Sequence, residues 1–129
     1  MILDSSAVIS MLWGEPDADR MEEAVASAEG LAVSAPSLVE MATVAEGRFG
    51  PAMGDKLDAL LARLAPEIVP FTAEHAALAR EGWRRYGKGR HPAGLNLGDC
   101  FAYALAKSRN QPLLFKGDDF SLTDVKAAI

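Results

Sequence analysis

Four short apolar runs punctuate this chain: Met1-Ile2-Leu3, Leu31-Ala32-Val33-Ser34, Ile68-Val69-Pro70-Phe71 and Pro112-Leu113-Leu114-Phe115. Each is too short for a helix and is followed by a turn or a capping residue. The longer stretches between them carry apolar residues at helical spacing. Strands that alternate with helices in this way argue for a parallel sheet covered by helices on both faces, an α/β fold. Right-handed crossovers would then bring the carboxyl ends of the central strands to one rim, where open sheets of this kind place their sites.

The helical stretches have recognisable starts and stops. Ser5-Ser6 is expected to cap a short helix, Ala7 to Trp13, that stops at Gly14. Pro16 suits the first position of a second helix, with Asp17 and Asp19 in its first turn and Met21, Val25 and Ala28 at its core. Ser37 is expected to begin a third, with Glu40 three residues on as its capping-box partner and Leu38, Met41, Ala42 and Ala45 as the core stripe. After Gly50-Pro51, the residues Met53, Leu57, Leu60, Leu61 and Leu64 trace an amphipathic helix. Thr72 caps a fifth through Leu78, Ala79, Gly82, Trp83 and Tyr86. Residues 125–129 are expected to supply an edge strand.

The sixth helix is of a different kind. In Leu95-Asn96-Leu97-Gly98-Asp99-Cys100-Phe101-Ala102-Tyr103-Ala104-Leu105-Ala106 one carboxylate is followed by seven apolar or aromatic residues. Asn96 suits the N-cap and Asp99 the third helical position, where a carboxylate meets free amides. A buried helix therefore starts within a turn of an acid.

Half of the 129 residues are apolar, enough for one globular domain, 1–129, with a proper core. The net charge of −5 provides no global field for nucleic acid, so an anionic substrate would need local cations or a metal. The single Cys100 excludes an intramolecular disulfide and fits a cytoplasmic, reducing setting; it reads as a small core residue. No run approaches the length of a membrane span. Arg84, Arg85, Lys88 and Arg90 form the only basic cluster, either a solvated helix end or a phosphate-contacting loop. His75 and His91 are not spaced as metal ligands and read as surface or cap residues.

Asp4 and Asp118 follow the first and last strand runs, while Glu40 and Asp99 lie in early turns of helices on the same expected rim. Four carboxylates brought together repel one another and raise some of their own pKa values, so such a cluster favours a bound cation. All-oxygen ligation suits Mg²⁺ or Mn²⁺ rather than zinc. A hard cation there would activate water and neutralise charge on a phosphodiester.

At these residues the chain resembles PIN-domain ribonucleases, and within them the VapC-type toxins of bacterial toxin–antitoxin pairs. The resemblance rests on Met1-Ile2-Leu3-Asp4-Ser5-Ser6-Ala7, on Ser37-Leu38-Val39-Glu40, on the Leu95–Ala106 stretch, and on Leu114-Phe115-Lys116-Gly117-Asp118-Asp119-Phe120 with Thr123-Asp124. It implies a three-layer α/β/α fold and metal-dependent endonucleolytic cleavage of RNA. It also implies homodimerisation and inhibition by a cognate antitoxin whose C-terminal segment lies across the active-site groove. Asp4, Glu40, Asp99 and Asp118 match the family's acidic quartet, with Asp4 and Asp99 as the principal metal ligands, and Ser6 matches a polar position beside it. The fourth position admits either Asp118 or its neighbour Asp119.

Two other functions are compatible with an α/β sheet of this size. A phosphatase-like phosphoryl-transfer enzyme would want Asp-x-Asp after the first strand, where this chain has Asp4-Ser5-Ser6. A phospho-accepting signalling module would want an Asp after a middle strand, and Val69-Pro70-Phe71 offers none.

Overall fold

The computed structural model describes all residues, 1–129. Four strands, β1 (Ile2–Leu3), β2 (Ala32–Ser34), β3 (Glu67–Val69) and β4 (Leu113–Leu114), form one parallel sheet in the order β3-β2-β1-β4. Six helices surround it: α1 (Ser5–Trp13), α2 (Ala18–Ala26), α3 (Ala35–Phe49), α4 (Pro51–Leu64), α5 (Ala73–Tyr86) and α6 (Leu97–Arg109). The expected three-layer α/β/α arrangement is the one observed.

Strand periodicity divides the core in two. Ile2, Ala32 and Leu113 face one side and pack with α5 and α6 through Ala79, Tyr103 and Leu105. Their neighbours Leu3, Val33 and Leu114 face the other and pack with Val8, Met41, Leu57 and Leu60 of α1, α3 and α4. Because both faces are covered, the central strands are apolar at every position, as in other all-parallel sheets. No helix is long and apolar enough to cross a membrane.

Several boundaries differ from those expected, each for a local reason. α1 begins at Ser5, not Ala7, because Asp4 itself is the N-cap: its carboxylate accepts from the Ser6 amide at 2.9 Å. Residues 15–17 form a turn before α2, which starts at Ala18. α3 starts at Ala35, with Pro36 in its first turn, so Ser37 lies inside the helix, fully buried, and forms no capping box with Glu40. β3 stops at Val69 because Pro70 has no amide to donate. The final segment contributes a single bridge, Ala127 to Leu113, in place of an edge strand. The hinge between α3 and α4 is Gly50 at φ 81°, a left-handed conformation that glycine adopts without strain.

Candidate active site at the carboxyl rim of the sheet

Asp4 is the residue at which strand becomes helix. Its amide completes the sheet by donating to the Leu114 carbonyl at 2.9 Å, and its carboxylate caps α1. The side chain is 2% exposed. One oxygen, Oδ2, accepts from the Ser6 amide and, at 2.5 Å, from the Ser6 hydroxyl. The Lys116 amide, just past β4, donates to the same Ser6 Oγ at 3.0 Å, so Ser6 links the ends of β1 and β4. The other oxygen of Asp4, Oδ1, is buried with no hydrogen-bond partner.

Asp99 forms the expected capping box: its amide donates to Asn96 Oδ1 and its carboxylate accepts from the Asn96 amide, both at 2.9 Å. That geometry fixes one carboxylate oxygen and points the group at the rim. Glu40, free of any capping duty, lies across the first turn of α6. A Cβ at position 98 would stand 1.3 Å from Glu40 Oε2, so Gly98 is the surface on which the Glu40 carboxylate rests.

The electrostatics tie these groups together. Burial pushes the Asp4 carboxyl up to about 7, partly countered by the Ser6 hydrogen bonds and reinforced by the negative charges of Asp99 and Glu40. Burial likewise pushes Asp99 up to about 6, countered by the Asn96 amide and reinforced by Glu40 and Asp119. The negative charges of Asp99 and Glu40 are thus felt at Asp4, and those of Glu40 and Asp119 at Asp99. Asp118 and Asp119 are both exposed, at the N-cap and the first residue of a 3-10 turn (Asp119–Leu122), and neither makes a side-chain hydrogen bond. No three of the carboxylates converge on one point as ligands around an ion would. Their charges are nonetheless felt from one to the next.

The basic cluster is divided. Arg84 and Lys88 are exposed and make no ion pair. Arg85 pairs with Asp124 at 3.2 Å and covers the Tyr86 ring, and the Arg90 guanidinium lies 4.2 Å from the centre of the Trp83 ring. Both histidines differ from their expected surface roles in part. His75 is 6% exposed, against Phe71, and His91 meets the Tyr86 ring edge to face while its Nδ1 accepts from the Ala93 amide. Cys100 is buried as expected, its thiol pushed up to about 11 by burial. The roles of Gly98 and of the Lys116 amide escaped the sequence. Only the run of small residues around Asp99 hinted at the first, and nothing at the second.

Residues 1–126 match the PIN domain family. The chain belongs to that family. Among its PIN-domain relatives, the Ribonuclease VapC of Mycolicibacterium smegmatis is 52% identical over 127 residues, 98% of each chain. Ribonuclease VapC30 of Mycobacterium tuberculosis is 51% identical over 125 residues, 97% of this chain and 95% of that one. In structure, this PIN domain is similar to Mycobacterium tuberculosis VapC20, a sarcin-ricin loop cleaving toxin, with a TM-score of 0.75 and 18% identity over 96% and 95% of the two chains. It is also similar to VapBC2 of Rickettsia felis, solved with a promoter DNA fragment, with a TM-score of 0.74 and 18% identity over 98% and 94%. At that identity these two establish the fold.

Proposed function

We propose that this PIN domain is a Mg²⁺- or Mn²⁺-dependent endoribonuclease and the toxic member of a toxin–antitoxin pair. The observation that carries the reading is the pair formed by Asp4 and Asp99: two acids on one rim, both with raised pKa values, one with a buried oxygen that nothing in the protein satisfies. Named ribonucleases of about half identical sequence over the full length support it.

The donor set fits a hard divalent cation. Asp4 and Asp99 would hold it, with Glu40 and Asp119 bearing on it directly or through water. Bound there, it would supply an activated water and positive charge beside the phosphodiester. The protein's own residues do the rest. Ser6 engages Asp4 Oδ2 and leaves the buried Oδ1 without a partner in the protein. The capping box orients Asp99, and Gly98 lets Glu40 reach across the helix. Arg84 and Lys88 remain free to meet phosphates, which an acidic chain needs.

An antitoxin fits the same chemistry. An arginine presented by a partner would place a guanidinium among Asp4, Glu40, Asp99 and Asp119, replacing the cation's charge and closing the groove. The chain's own partner and a homodimer belong to this proposal, as does its RNA.

The test is inducible expression with mapping of new RNA 5′ ends, alongside Asp4→Asn and Asp99→Asn. New ends that depend on both acids, and on divalent cation in vitro, are expected. Cleavage that persists in Asp99→Asn or in excess chelator overturns the reading.

A further inference from the structure

One cluster of titratable groups plays no part in the proposed chemistry. Asp124 accepts hydrogen bonds from the Tyr103 hydroxyl at 2.9 Å, from Lys107 Nζ at 2.9 Å and from an Arg85 guanidinium nitrogen at 3.2 Å. Asp99, Tyr103 and Lys107 stand at i, i+4 and i+8 on α6 and therefore share one face of it. The segment after β4 leaves at Lys116, whose amide donates to the Ser6 hydroxyl oxygen beside Asp4, and passes Phe120, buried in the same core cluster as Cys100 and Tyr103. It thus runs from the acidic rim along α6, with Asp119 near its start and Asp124 gripped at the middle and end of that face.

We propose that Asp124 is a positioning residue: by clasping this segment to Tyr103, Lys107 and Arg85 it holds Asp119 at the acidic rim. The inference rests on the cation reading above and adds to it the means by which the fourth acid is kept in place. Between the two ends the segment is stiff. Phe120 is 2% exposed and packs on Phe115, ring centres 5.2 Å apart. The Thr123 hydroxyl donates to the Phe120 carbonyl at 2.7 Å, and the Ser121 amide to the Asp118 carbonyl at 3.0 Å. Phe120 fixes the middle of the segment and the clasp fixes its end, so the proposal requires both for Asp119 to keep its place.

The three donors are not equivalent. Lys107 and Arg85 are surface cations, and exposed pairs of this kind contribute little singly. Tyr103 is 1% exposed, with its ring fixed in the core against Gly82 and Tyr86, so its hydroxyl is an immobile donor. It sets the position of Asp124, and the cations add charge. Partial burial pushes the Asp124 carboxyl upward, yet hydrogen bonds from Lys107 and Tyr103 hold it below the ordinary carboxylate range, so it stays ionised.

The experiment compares wild type with Tyr103→Phe, Asp124→Ala and Glu67→Gln. The last loosens the distant Glu67–Arg109 pair and controls for general destabilisation. Mn²⁺ binding is read from the spin resonance of free Mn²⁺, and local opening from amide exchange over residues 118–123. Asp124→Ala is expected to weaken Mn²⁺ binding roughly 10–100-fold, the usual effect of residues supporting a ligand. It should also speed exchange in that segment and lower kcat with KM for RNA near wild type. Tyr103→Phe should move each readout the same way by less, and it judges the proposal if Asp124→Ala fails to fold. Faster exchange with unchanged Mn²⁺ binding would overturn the proposal, making the clasp an anchor for the chain end only. Exchange unchanged in both variants would show that there is no clasp. A wild-type protein that binds no Mn²⁺ would instead overturn the cation reading, leaving the exchange data to judge the clasp by itself.

Discussion

Glu40 lies directly on the α-carbon of Gly98, so close that a methyl group there would stand 1.3 Å from its Oε2. What glycine at 98 accommodates is a neighbour's side chain rather than a backbone conformation, and any Cβ there obliges the Glu40 carboxylate to move. Gly98→Ala should improve the intrinsic helical preference of α6 by up to about 1 kcal/mol. It must also displace the Glu40 carboxylate. The expected result is RNA cleavage reduced roughly 10–100-fold with Tm nearly unchanged, checked by a cleavage assay beside thermal melts.

Asp4 makes the fold's stability depend on pH. In the unfolded chain it ionises near 3.8, in the folded protein only near 7. Between those values the folded state holds the extra proton, so stability falls as pH rises from about 4 to about 7. Above that window the penalty is complete, about 1.4 kcal/mol for each pKa unit, less whatever the site relaxes. Asp4→Asn, which keeps the capping oxygen, should raise Tm at pH 8 and lose that advantage at pH 4. Added Mg²⁺ or Mn²⁺ should raise the Tm of wild type but not of Asp4→Asn. Melts at the two pH values, with and without cation, check both.

The adjacent acids after β4 are both exposed, and of the two only the charge of Asp119 is felt at Asp99. Asp119→Asn should depress cleavage at least tenfold, roughly, by analogy with other supporting groups of a metal site. Asp118→Asn should leave most activity. Single-turnover cleavage by the two variants decides between them.

Of the four cations in the basic cluster, two are already engaged. Replacing Arg84 and Lys88 with Gln should weaken RNA binding and reduce the slope of log affinity against log salt by about 0.7 for each lost phosphate contact. Arg85→Gln should instead act on stability, through Asp124. Binding measured over a salt series, with melts of each variant, distinguishes the two effects.

Gly82 faces the Tyr103 ring, where an added Cβ would meet Cδ1 at 2.5 Å. Gly82→Ala should force α5 away from α6 and destabilise the protein by about 1–3 kcal/mol, as overpacking of a core usually does. Urea denaturation with an unchanged slope is the check.

Much of this was legible beforehand because the signals are local and redundant. Asn96 and Asp99 cap α6 as their spacing requires, Thr72 caps α5, and the four apolar runs are the four strands. Two of the misplaced helix starts share one cause. Ser5 and Ser37 are good capping residues by type, but pairing with β4 carries β1 through to Asp4, and Pro36 favours a helix that starts at Ala35. In both places the serine side chain was buried instead of capping. The sequence offers no choice between Asp118 and Asp119, because adjacent acids in one short turn differ only in the way the turn faces them. The clasp at Asp124 joins residues 85, 103, 107 and 124, and no periodicity connects segments that distant.

The sheet pairs its first strand with its last: Ile2 and Leu3 of β1 lie against Leu113 and Leu114 of β4. Contacts between such distant segments form late, because a long loop must close before they can stabilise anything. The acids come from positions 4, 40, 99 and 119, so the site is the last thing the chain acquires. A chain still emerging from the ribosome therefore holds an incomplete set of acids until the residues near 119 have left the exit tunnel.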